Sequence, residues 1–200
     1  MAVAPRGAPT APPGLAGLTR ANLAERTLLV LRPGGWRAPD VLLVRGEGGL
    51  VVVKDFAPRA RAVRATLGRL ATRREARAYR QLAGHPAVPR LLGLLDPLAL
   101  AVEHRAGPRL SRRRPWTFSP SFARELRRAV RGLHARGVAH LDLAHRSNVC
   151  AASDGSPVIV DFASAVSLRP GGLAARWLLP WLARLDLRAL RKWERSLGAP

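Results

Sequence analysis

The sequence predicts an α+β chain: an antiparallel sheet with one helix, then a mainly helical half, as one domain or two small lobes sharing a cleft. Three patterns carry this. Short apolar runs split by turn residues fill 28–54, helical spacing takes over at 60–83, and helices with one short hairpin follow residue 119. Two hundred residues, 48% hydrophobic, suffice for one domain, or for two small lobes, with a sizeable core.

In order, residues 1–22 read as a flexible Ala/Pro-rich tail, because Pro5, Pro9, Pro12 and Pro13 oppose regular structure. Residues 23–104 form the first lobe. Leu28–Leu31, Val41–Val44 and Leu50–Lys54 are strands, separated by Pro33-Gly34-Gly35 and Gly46–Gly49 as turns. From Ala60 to Ala83, Val63, Leu67, Leu70, Tyr79 and Leu82 recur near helical spacing, and Gly84 and Pro86 end the helix. Leu91–Leu95 and Leu98–Val102 complete a five-stranded sheet. Residues 105–200 form the second lobe, entered through a linker bearing Arg112, Arg113 and Arg114. Ser119 suits an N-cap and Pro120 the first helical position. Phe122, Leu126, Val130 and Leu133 share one face, and Gly137 stops the helix. Val149–Ala151 and Val158–Val160 flank Ser153-Asp154-Gly155 as a hairpin, and 173–197 reads as helix broken at Pro180.

A net charge of +21 and a pI near 12 favour an anionic partner, such as a nucleotide or an acidic membrane surface. Arginines spread along the chain in an Ala/Gly/Pro-rich composition are also what a GC-rich genome produces. Cys150 is the sole cysteine, so no internal disulfide can form. Neither a secretory signal nor a membrane span is visible, so the expected location is cytoplasmic, with peripheral contact at the inner face of a membrane. Nucleic acid ranks last as a partner, since no predicted strand interleaves aromatic and basic residues.

The chemistry concentrates in His140-Leu141-Asp142, Asn148 and Val158-Ile159-Val160-Asp161-Phe162. One carboxylate sits in a loop after a helix and another, 19 residues on, ends an apolar run. That pairing suits phosphoryl transfer: one Asp orients a hydroxyl while the other, with an Asn, holds a metal on a nucleotide. Of 34 basic residues only two are lysines, and Lys54 closes a strand, as though selected for its compact ammonium.

The order strand lysine, helix glutamate, helix, His-x-Asp loop, hairpin, Asp-Phe resembles the protein-kinase-like superfamily. In its small size it is most similar to the bacterial lipopolysaccharide-kinase and RIO-like branches. The resemblance implies a two-lobed fold using ATP and Mg²⁺. Lys54 would contact the α- and β-phosphates, with Glu75 as its helix partner. Asp142 would be the catalytic-loop aspartate, while Asn148 and Asp161 would hold Mg²⁺. His140 would pack beneath Phe162. Glu103 to Arg105 would meet adenine at the hinge, and Gly34 and Gly35 would sit at the phosphate turn. The acceptor would be a hydroxyl on a protein Ser/Thr or on a lipopolysaccharide-type sugar, and the alternative is a pseudokinase-like binding module.

The chain departs from the family pattern at several points. Asp142 and Asn148 are six residues apart rather than five, Ala144 replaces a lysine, and Ala163 replaces the glycine of Asp-Phe-Gly. The first hairpin lacks Gly-x-Gly-x-x-Gly, and no Ala-Pro-Glu follows Phe162.

Overall fold

The structure, a computed structural model, describes residues 15, 17–105 and 120–196. The expected Ser119 cap, Arg112–Arg114 and the side chains of Arg146 and Trp193 lie outside the described residues. A single turn, α1 (Leu23–Arg26), leads into β1 (Thr27–Arg32), β2 (Asp40–Gly46) and β3 (Gly49–Asp55), an antiparallel meander. With β4 (Leu91–Asp96) and β5 (Ala99–Glu103) they make one five-stranded sheet in the order β1-β2-β3-β5-β4.

The period of two along β3 decides which side chains face the cleft. Val51 and Val53 are buried on the outer face with Val44, Ala99 and Ala101, while Val52 and Lys54 point into the cleft between the lobes. Leu18 and Leu23 cover that outer face. Residues 17–22 therefore pack, where composition suggested tail: Arg20 bridges Asp55 at 2.6 Å and Asp96 at 2.7 Å. The prolines stop at Pro13, and beyond them leucines supply an apolar anchor while one cation stands opposite two carboxylates.

The single helix expected over 60–83 is three pieces: α2 (Arg61–Val63), a π-helical stretch Arg64–Gly68, and α3 (Arg69–Gln81). The widened turn lays Gly68 against Phe56 and Leu98, about 3.1 and 3.2 Å from where a Cβ would stand. Thr72, Glu75, Ala76 and Tyr79 form the buried face of α3.

In the second lobe, α4 (Pro120–Ala135) buries Phe122, Leu126, Val130 and Leu133, as their spacing predicts. Gly137 then turns the chain at φ +77°, with the Leu168 carbonyl oxygen 2.3 Å from the position a Cβ would take, so any side chain clashes. Short strands come next. β6 (Val138–Ala139) pairs with β9 (Val166–Ser167), and β7 (Val149–Ala151) pairs with β8 (Pro157–Ile159).

The last element, α5 (Leu173–Ser196), continues through Pro180. The predicted break does not occur. Proline removes one amide donor, but Pro180 and Arg176, whose carbonyl it leaves free, are both exposed, so water can serve that carbonyl.

Candidate functional site

Two buried chains of polar contacts meet at the cleft. In the upper one, Lys54 Nζ on β3 donates to Glu75 Oε1 on α3 at 2.6 Å and to Asp161 Oδ1 at 2.5 Å. Burial alone would lower the Lys54 pKa, but the two carboxylates outweigh it and hold the ammonium charged, above its ordinary value. Burial pushes Glu75 up despite Lys54 beside it. Asp161 shows the opposite balance. Burial would raise it, yet Lys54 and Arg32 hold its carboxyl down to about 2. Arg32 closes β1 and places Nη2 3.4 Å from Asp161 Oδ2, while its Nε is buried with no partner among the described residues.

In the lower chain, the loop after β6 brings Asp142 and Asn148 together. Asn148 Nδ2 donates to Asp142 Oδ2 at 2.8 Å and to the Asp142 carbonyl at 2.9 Å. Two consecutive turns absorb the extra residue between them: His145 N–H bonds the Asp142 carbonyl and Asn148 N–H bonds that of His145. The Asn148 carbonyl in turn accepts from Val160 N–H at 2.9 Å, tying this loop to the strand end that carries Asp161.

His140 is fully buried and packs 4.8 Å from the Phe162 ring, its Nε2 bonded to the Val160 carbonyl at 3.0 Å. Burial lowers its pKa, more than the carbonyl and nearby carboxylates raise it. Tyr79 meets the same Phe162 edge-on at 5.0 Å. Among the described residues, Leu141 (φ +64°) and Asp161 (φ +69°) alone adopt a left-handed backbone without being glycine. Both flank this site, where such strain concentrates in proteins.

Asp186 on α5 was not singled out by sequence reasoning, yet it anchors the loop. Its carboxylate accepts from the amides of His140 and Leu141 at 2.8 Å each and contacts His134 Nε2 at 2.9 Å. A lone aspartate within an apolar helical stretch was the available signal, since a buried carboxylate needs partners. Arg32 gave no such signal, being one arginine among many.

A cavity of about 330 Å³ lies between the lobes, within the ordinary range for a small-molecule site. Its lining combines the polar Lys54, Asn148 and Asp161 with the apolar Val41, Val102 and Val158, and includes Glu103 and Arg105. The Arg90 amide donates to Glu103 Oε2 at 3.1 Å, and Arg105 reaches the Pro86 carbonyl.

Gly34 and Gly35 do not line this cavity. The Gly34 amide is already bonded to Asp40 Oδ1 at 2.6 Å, and Arg59 Nη1 donates to both glycine carbonyls at 2.9 Å. The turn is thus held by side chains from its own lobe. With one amide consumed, it lacks the free N–H row from which phosphate cradles are made.

The donor set fits a hard divalent cation. Asp161 offers a carboxylate, and Asn148 has its Nδ2 engaged by Asp142, which leaves Oδ1 as an oxygen donor with only a long 3.3 Å contact from Ser147. Mg²⁺ takes such oxygens one or two at a time, completing its shell with water and phosphate.

No protein-family model matches the sequence, and no curated protein matches it either. Among solved structures, the crystal structure of the Rio2 kinase from Chaetomium thermophilum superposes with a TM-score of 0.63 at 19% sequence identity. The match covers 88% of this chain and 60% of that one, so this chain spans less than two thirds of that structure's length. At that level of identity the likeness speaks for architecture, and the architecture is a protein-kinase-like fold with a small C-terminal lobe.

Proposed function

We propose that the chain is a phosphotransferase that moves the γ-phosphoryl group of ATP to a hydroxyl, with Mg²⁺ held by Asn148 and Asp161. The observation that supports it most is the buried contact of Lys54 with both Glu75 and Asp161 at the mouth of the cleft. A lysine and two carboxylates drawn from three distant segments are costly to bury without a ligand to serve.

In this reading the apolar side chains of the cavity lining pack on adenine, beside the backbone of 103–105. The Lys54 ammonium, kept charged, pairs with the α- and β-phosphates. Arg32 takes the place of the missing glycine cradle, swinging its guanidinium from Asp161 to a phosphate when nucleotide enters. Mg²⁺, when bound, neutralises charge on the β- and γ-phosphates. Asp142, oriented by Asn148, accepts the acceptor's hydroxyl proton as its oxygen bonds the γ-phosphorus and the bond to the β–γ bridging oxygen breaks; ADP leaves. The acceptor is a protein Ser/Thr or a lipopolysaccharide-type sugar. The reduced second lobe favours the sugar. The chain works on the cytoplasmic side.

A second reading, a pseudokinase-like module that binds nucleotide or a partner without transfer, is favoured by one observation: the occupied Gly34 amide. Turnover of γ-labelled ATP with Mg²⁺ separates the two. Transfer or hydrolysis should fall about 10²–10⁴-fold in Asp142→Asn and in Asp161→Ala. Nucleotide binding should survive in Asp142→Asn. Wild-type turnover no faster than that of Asp161→Ala would reject the enzyme reading in favour of the binding module.

A further inference from the structure

The outward face of α5 presents a row of large apolar side chains to solvent. Leu173, Trp177, Trp181 and Leu185 recur every four residues and sweep roughly a 120° arc over about 18 Å of helix. Leu178 adds to the same side. Trp177 is 74% exposed and Trp181 67%, so neither ring belongs to the core. Large apolar side chains gathered this way on a folded surface mark a binding site.

The charges on the helix narrow the occupant. α5 carries two carboxylates, and both are taken internally: Asp186 by the loop amides and Glu194 by Arg127. What faces outward is apolar or cationic, with Arg184 lying 4.6 Å over the Trp181 ring and Arg188 and Arg191 exposed further along. Two copies of a chain at +21 repel each other, which disfavours pairing through this face. No helix among the described residues is long and apolar enough to cross a membrane. Tryptophan with flanking arginine is the composition of a helix that lies in a bilayer interface.

We propose that the outer face of α5 docks on an anionic phospholipid bilayer, with the helix parallel to the membrane plane. Trp177, Trp181, Leu173 and Leu178 enter the headgroup–acyl boundary, and the arginines pair with lipid phosphates. Docking stands independently of phosphotransfer. If the proposed function holds, it also sets the source of the acceptor, because Asp186 on this helix positions the Asp142 loop and so fixes the cleft relative to the lipid surface.

The test uses the full chain and sedimentation with vesicles of phosphatidylcholine alone or with a minority of phosphatidylglycerol. Wild type should pellet with the anionic vesicles, and Trp177→Glu/Trp181→Glu should bind them at least about tenfold more weakly. Leu29→Glu, on the exposed edge strand β1, should bind as wild type does. Brominated lipids should quench wild-type fluorescence more than that of Trp177→Phe/Trp181→Phe, a readout that survives if the glutamate variant fails to fold. Equal binding by the glutamate variant and wild type would overturn the proposal, leaving general charge attraction. Absence of vesicle binding, or of extra quenching in wild type, would overturn it in favour of an acidic protein partner. A dimer abolished by the tryptophan substitutions would overturn it in favour of self-association.

Discussion

Lys54 illustrates how a single residue ties stability to the candidate site. Its ammonium is buried and touches two carboxylates, so removing it strands Glu75 in a low-dielectric setting rather than merely deleting a contact. Lys54→Met should therefore lose about 3–5 kcal/mol at neutral pH, read as a shift in the urea midpoint. Burial already pushes Glu75 up, and without Lys54 it takes a proton more readily, so the deficit should shrink as pH falls towards 5. Adding Glu75→Leu should restore much of the loss. A deficit independent of pH would mean that the cost lies in packing and not in the stranded charge. Arg32 belongs to the same set, and only its neighbours in space reveal it.

At the scale of elements, α5 supports the Asp142 loop from behind. Asp186 satisfies two loop amides and a histidine at once, in a setting only 1% exposed. Leu141 between those amides keeps a left-handed backbone that few residues hold unaided. Asp186→Ala leaves two buried amides without acceptors and should cost about 3 kcal/mol in thermal or urea unfolding. It should also loosen the loop, seen as faster amide exchange at His140 and Leu141. Asp186→Asn keeps an acceptor and should cost less than half as much. Equal costs for the two would show that the charge, not the geometry, carries the anchor.

For the molecule as a whole, pH and salt should report the buried groups. His140 is lowered by burial, and His85 is lowered by burial and by Arg136. Their folded values lie below the 6.5 of the unfolded chain, so the unfolded state binds more protons as pH drops below 6.5 and stability falls with it. Asp161 adds a second loss: its ion pairs contribute fully above 3.8 and vanish as pH falls through 3.8 to about 2. The melting temperature should thus decline from pH 7 towards 5 and more steeply below 4. Moderate salt should raise it, because a chain at +21 is strained by its own charge. His140→Gln should flatten the upper part of the profile; an unchanged slope would locate the titration elsewhere.

Local pattern alone made the architecture legible. Short apolar runs such as Leu50–Lys54, the helical spacing from Phe122 to Leu133, and Gly137 as a stop are short-range signals, and each formed as the residues required. Lys54 and Asp161 stood out because a lone strand lysine and a carboxylate at the end of an apolar run are anomalous in one dimension; Asp142 and Asn148 followed from their spacing to Asp161, and Glu75 came only with the family resemblance. Tertiary structure decided the rest. The packing of Leu18 and Arg20, the capture of the Gly34 amide by Asp40, and the parts played by Arg32 and Asp186 all depend on partners 6 to 129 residues away along the chain. Such contacts form because burial leaves a charge or an amide needing a partner, and which partner is near is set by the fold rather than by sequence neighbours.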